Sequence, residues 1–126
     1  MVIIRDFIIE FIDDMNAAYS ACDLLLARAG ATTIAEILNL AVPAILVPSP
    51  NVAENHQYLN AKSLADHRAA ILKEDNKLKT ELVKCVLDTI NSESKLHEIK
   101  KNELAMAKPD AAKVIAQNAI RFAEVI

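Results

Sequence analysis

The chain's 126 residues suffice for one domain with a packed core and fall short of two. Apolar residues make up 53% and the formal net charge is −3, so the chain is globular, and its scattered Lys and Arg argue against nucleic acid as a main partner, which needs them clustered. Cys22 and Cys85 lack C-x-x-C spacing, which disfavours a zinc site or disulfide scaffold, and no apolar run reaches the roughly 20 residues of a membrane span.

Residues 2–12 are rich in Ile and Phe, and a strand is expected in the part leading to Phe11 and Ile12. Asp13 and Asp14 punctuate it, and either suits the cap of a short helix ending near Ser20. Leu24, Leu25 and Leu26 form a continuous apolar run, the pattern of a parallel strand covered on both faces. Gly30, the only glycine, is expected to supply conformational freedom for a sharp turn. Thr33 and Glu36 then read as a Thr-x-x-Glu capping box, which predicts a helix from near Ile34 to about Leu40. Pro43 ends that helix and residues 44–47 form a second apolar strand, completing a βαβ unit of right-handed crossover.

A Pro-rich loop follows and enters a helix over residues 53–66, with Asn51 and Glu54 as a candidate cap pair. Residues 69–72 read as a short strand, and residues 73–77 as a charged loop with Asp75 or Asn76 capping the next helix. Leu82, Val83, Val86, Leu87 and Ile90 recur at helix spacing. Residues 91–94 break the pattern, and another helix runs to about residue 107. Pro109 and Asp110 break again, with Asp110 capping a last helix whose Val114, Ile115, Ala119 and Phe122 are expected to face the body. The resulting fold class is α/β: a Rossmann-like three-layer sandwich, a parallel sheet of about four strands with extra C-terminal helices. With one glycine, the expected helix ends at Leu40–Ala41 and His67–Arg68 lack the usual left-handed glycine cap.

A strand that feeds directly into a helix leaves free backbone N–H groups at the strand's carboxyl end, a ready phosphate site. The loops after both strands fall on one sheet edge, where ligands bind in open α/β sheets. Glu36 has two readings, a capping glutamate or a carboxylate accepting from a ribose diol. Gly30, Thr32 and Thr33 form a plain turn and cap, or else present N–H groups to a diphosphate; neither a P-loop nor G-x-G-x-x-G is present. His56 and Gln57, at a helix entrance over the same edge, are either solvated or bonded to sugar hydroxyls, with Asn60 one turn beyond His56. His67 and His97 read as structural, and no Ser/His/Asp or paired-carboxylate set stands out.

Four ordered segments carry a family resemblance: Phe11-Ile12-Asp13-Asp14-Met15; Ala21-Cys22-Asp23-Leu24 followed by Arg28-Ala29-Gly30-Ala31-Thr32-Thr33 through Glu36; Val42-Pro43-Ala44-Ile45-Leu46-Val47-Pro48; and His56-Gln57-Tyr58-Leu59-Asn60-Ala61. Together they resemble the C-terminal, donor-binding domain of the MurG family, bacterial UDP-N-acetylglucosamine transferases that convert lipid I to lipid II in peptidoglycan synthesis. The resemblance is densest over residues 11–72.

It implies a GT-B fold, two Rossmann-like domains with the active site between them, of which this chain is a single partial donor domain. It implies that backbone groups of Phe11 and Ile12 read uracil with Met15 nearby. The amides of Thr32 and Thr33, beside Gly30, would hold the α-phosphate, Glu36 the ribose hydroxyls, and His56 and Gln57 the GlcNAc hydroxyls. No cofactor or metal is implied, and no catalytic residue is assigned.

This sequence departs from the family in lacking the earlier strand with its Gly-Gly-Ser-rich phosphate loop and the N-terminal domain. His56 stands where many members have glutamine, and Arg68 near a common glycine. The chain is therefore expected to bind UDP-GlcNAc, to need the missing N-terminal domain or a partner chain, to meet lipid I only in a full enzyme, and to self-associate through an uncovered apolar edge. On its own it is expected to be inactive. The resemblance implies a cytoplasmic location, peripheral on the inner face of the plasma membrane. A small soluble subunit of a two-chain GlcNAc transferase and a non-catalytic α/β interaction module are the alternatives.

Overall fold

Asp14 starts the first helix: its Oδ1 accepts from the Ala17 N–H at 3.0 Å, satisfying one of the helix's orphan donors. The structure is a computed structural model and describes residues 8–51 and 55–125. In chain order it comprises α1 (Met15–Ser20), β1 (Leu25–Ala27), α2 (Ala31–Leu40), β2 (Ala44–Leu46), α3 (His56–Asp66) and β3 (Ile71–Leu72). A 3-10 turn (Asp75–Lys77) then leads to α4 (Leu78–Ile90), α5 (Glu93–Met106) and α6 (Ala111–Val125).

The strands pair in parallel in the order β1-β2-β3, with Leu26 opposite Ile45 and Ile45 opposite Ile71. Parallel pairing brings the carboxyl ends of all three strands to one edge. The central strand β2 is buried throughout, as a strand covered on both faces must be. Ile37 from α2, Leu46 from β2 and Ala61 and Leu64 from α3 share one core with Tyr19 from α1. Ile37 and Leu46 are fully buried, each worth about 1.5–3 kcal/mol of apolar burial. Leu46→Ala would empty the centre of the sheet.

Three of the expected strands are thus present. For the remaining one, residues 2–7 lie outside the described residues, and residues 8–12 are irregular backbone with Ile8 99% exposed. A strand needs a neighbour for its N–H and C=O groups, and among the described residues none pairs with this segment. The run at Leu24–Leu26 was expected to be covered on both faces; instead, among the described residues, β1 is an edge strand and Leu26 is 47% exposed.

α3 begins at His56 with Asn55 as its N-cap at φ 55° and no side-chain cap bond; residue 53, its expected start, and Glu54, half of the expected cap pair, lie outside the described residues. The final helix forms where expected but does not face the body: Val114, Ile115 and Phe122 are 50%, 68% and 72% exposed, and Ala119 is exposed too. Burial depends on a tertiary partner, and α5, which precedes α6 across Pro109, is the helix that packs against α2 and α4.

The missing glycine caps resolve simply. Ala41 at φ 51° and Arg68 at φ 55° adopt the left-handed conformation themselves. The Val42 N–H reaches back to the Ile37 carbonyl at 3.1 Å, and the Ala69 N–H to the Leu64 carbonyl at 2.8 Å, the closing bonds of a Schellman-type end.

Candidate functional site

The carboxyl edge of the sheet is held together by side chains that bond to its backbone. Arg28, the residue after β1, extends Nη1 to the Asp75 carboxylate at 2.7 Å and to the carbonyls of Val47 and Pro48 at 3.3 and 3.4 Å. One guanidinium therefore ties the exits of β1 and β2 to the turn beyond β3. Asn60 on α3 donates Nδ2 to the Ala29 carbonyl at 3.1 Å, fixing α3 against the turn that opens α2. Gln57 accepts the Ser49 N–H through Oε1 at 2.8 Å, bracing the loop after β2 and leaving its NH2 group for other partners. His56 beside it is exposed.

The turn at Gly30 differs from expectation. Its φ of −67° and ψ of 151° are open to any residue, so no special backbone freedom is used. A Cβ built on it would meet nothing within 4 Å among the described residues. α2 starts immediately at Ala31, and the first intrahelical bond is accepted by the Gly30 carbonyl from the Ile34 N–H at 3.0 Å. The N–H groups of Ala31, Thr32 and Thr33 precede it and have no acceptor within the helix, the geometry that suits an anion. Thr32 is exposed and Thr33 half-buried.

The expected capping box is absent. Gly30 caps α2 without a side-chain bond, and Glu36 sits in the second turn of a helix that begins three residues earlier than the pattern suggested. Its carboxylate turns instead to α1, where the Tyr19 hydroxyl donates to Oε2 at 2.7 Å. Tyr19 is 6% exposed and part of the core. Burial, with the hydrogen bond and charge of Glu36 next, pushes its hydroxyl up to about 12, so it remains a donor throughout the physiological range. Burial likewise pushes the neighbouring Cys22 thiol up and keeps it protonated.

Phe11, Ile12 and Met15 lie before and at the start of the same α1, 76%, 38% and 37% exposed. Two bonds link the elements that carry the expected site residues: Tyr19–Glu36 ties α1 to α2, and Asn60–Ala29 ties α3 to the turn before α2, while of the expected site residues themselves only Glu36 takes part in either. From sequence, Tyr19 and Arg28 had no expected role and Asn60 only a neighbouring position. The signals were slight: an arginine between an apolar strand and the lone glycine, and a tyrosine four residues after Met15.

Two clefts lie elsewhere. One of about 500 Å³, lined by Pro48, Ser49, Tyr58 and Asp75, opens at the ends of β2 and β3. The other, about 660 Å³, is a groove between β3 and helices α4 and α5 lined by Arg68, Lys73, Thr89 and Ile99. None of the expected site residues lines either. Among the described residues, no three His, Cys, Asp or Glu side chains gather as a metal site.

The family model of the glycosyltransferase family 28 C-terminal domain matches residues 6–115. This chain belongs to that family. Among its curated relatives is a UDP-N-acetylglucosamine--N-acetylmuramyl-(pentapeptide) pyrophosphoryl-undecaprenol N-acetylglucosamine transferase from Bacteroides thetaiotaomicron, 46% identical over 118 residues, covering 94% of this chain and 32% of the relative. The like-named protein of Bacteroides fragilis is 47% identical over 118 residues, with 94% and 31% covered. The crystal structure of Acinetobacter baumannii MurG superposes with a TM-score of 0.78 at 34% identity, over 86% of this chain and 33% of that one. The chain therefore spans about a third of the length of the relatives it matches. Its parallel sheet and flanking helices are those of the C-terminal half of a GT-B architecture.

Proposed function

We propose that this family 28 domain is the donor half of an inverting glycosyl transfer and holds UDP-GlcNAc across the N-terminal end of α2. The observation that carries the proposal is the opening of α2: amides at Ala31, Thr32 and Thr33 with no acceptor within the helix, no atom of the described residues within 4 Å of a Cβ built on Gly30, and a half-buried carboxylate, Glu36, one turn further along. The diphosphate would lie on those amides, and Glu36 would accept from the ribose hydroxyls. Phe11, Ile12 and Met15 would flank uracil, and His56 and Gln57 the sugar. The names of its relatives support this reading, since they describe transfer of N-acetylglucosamine to a muramyl-pyrophosphoryl-undecaprenol acceptor.

In the whole enzyme the acceptor hydroxyl would attack the anomeric carbon, with inversion and departure of UDP. This domain would supply positioning and stabilise the charge that grows on the leaving diphosphate. The lipid-linked acceptor would be met on the inner face of the plasma membrane, with the enzyme cytoplasmic and peripheral; among the described residues no helix is long and apolar enough to cross a membrane. The 126-residue chain alone is expected to bind donor without transferring sugar, and turnover by the purified chain would contradict this.

Calorimetric titration with UDP-GlcNAc tests the donor site. Glu36→Ala is expected to weaken binding about tenfold, or ~1.4 kcal/mol, as loss of a charge-assisted pair should. Equal affinity in the variant and the parent chain would remove Glu36 from the site.

A further inference from the structure

Glu36 is a flexible side chain on the second turn of α2, and by itself it would sample several rotamers at the surface of the helix. The Tyr19 hydroxyl removes that freedom. The tyrosine ring is 6% exposed and packed in the core, its hydroxyl stands 2.7 Å from Oε2, and the bond spans 17 residues of sequence between two helices. A carboxylate has two oxygens and about four acceptor sites, so a single donor on Oε2 leaves Oε1 for a vicinal diol. The donor also belongs to α1, whose first residue, Met15, lies on the expected base side of the nucleotide.

We infer that Tyr19 is a positioning residue for donor binding: its hydroxyl anchors one oxygen of Glu36 so that the other meets the ribose diol, and couples that contact to the base-side helix. The inference rests on the reading of Glu36 as the ribose acceptor. It concerns a residue that does not itself touch the nucleotide.

The test is a double-mutant cycle read with two nucleotides, UDP and 2′,3′-dideoxy-UDP, on the 126-residue chain, its Tyr19→Phe and Glu36→Ala variants and the double variant. Phe keeps the ring and its burial and removes only the hydroxyl. The parent chain is expected to prefer UDP by about tenfold. Tyr19→Phe should lower UDP affinity about three- to tenfold while leaving dideoxy-UDP affinity unchanged, and should have no effect in the Glu36→Ala background.

A merely structural tyrosine would weaken both nucleotides alike, and that result would overturn the inference, as would unchanged binding of both. If the parent chain prefers UDP and Glu36→Ala abolishes the preference while Tyr19→Phe retains it, the positioning role fails and the ribose reading stands. If the parent chain does not distinguish the nucleotides, the ribose reading falls and this inference with it. Should Tyr19→Phe not fold, Glu36→Asp serves in its place: one methylene shorter, it keeps the charge but withdraws it from the hydroxyl. It should lose the UDP preference as fully as Glu36→Ala does, and retention would overturn the inference.

Discussion

Glu103 is fully buried on α5, and neither carboxylate oxygen has a hydrogen-bond partner among the described residues. Burial raises its pKa from 4.5 to about 8, against the opposing charge of Lys100, so near neutral pH the group is held mostly protonated. The consequence for stability has a definite sign. Between about pH 4.5 and 8 the folded chain keeps a proton that the unfolded chain has lost, so stability falls as pH rises through that window and levels off above it. Glu103→Met, of similar volume and without charge, is expected to flatten this slope and to add on the order of 1–3 kcal/mol at pH 8. Urea melts of both proteins at pH 5 and pH 8 measure it; equal slopes would show that the carboxyl finds a partner in solution.

At the scale of elements, what could be read in the sequence was what is decided locally. Asp14 caps α1 through a bond to Ala17, three residues away, and the alternation of apolar runs with turn residues located β1, α2, β2 and α3. What could not be read depends on residues far apart in the chain. The Thr33–Glu36 spacing looked like a capping box because the pattern is local, but α2 begins at Ala31 with Gly30 as its cap, and the Glu36 carboxylate accepts instead from Tyr19, 17 residues away. Arg28 and Asn60 bond to backbone carbonyls 19 to 31 residues away, which no spacing rule anticipates. The apolar face of α6 predicted a helix correctly and its burial wrongly, because periodicity says nothing of which neighbour is present. Ala41 holds φ 51°, so Ala41→Gly should relieve the left-handed strain at the end of α2 and stabilise the fold by about 0.5–1 kcal/mol. A raised Tm for this variant is expected; a lowered one would mean that the αL conformation at Ala41 carries no strain.

For the whole molecule, a parallel sheet sets three strand exits on one edge, and hydrogen bonds from Arg28, Gln57 and Asn60 tie the loops of that edge together beside the start of α2. The start of α2 at Gly30 lies on that edge, and it is there that we propose a nucleotide sugar sits. The competing location on the same edge is the cleft of about 500 Å³ at the ends of β2 and β3, bounded by Ser49, Tyr58 and Asp75. Amide chemical-shift mapping with millimolar UDP separates the two most directly. The largest shifts are expected over residues 30–36, accompanied by residues 11–15 and 19 and with little change around Tyr58 and Asp75. Shifts centred on Ser49, Tyr58 and Asp75, or none at all, would contradict a nucleotide site at the head of α2.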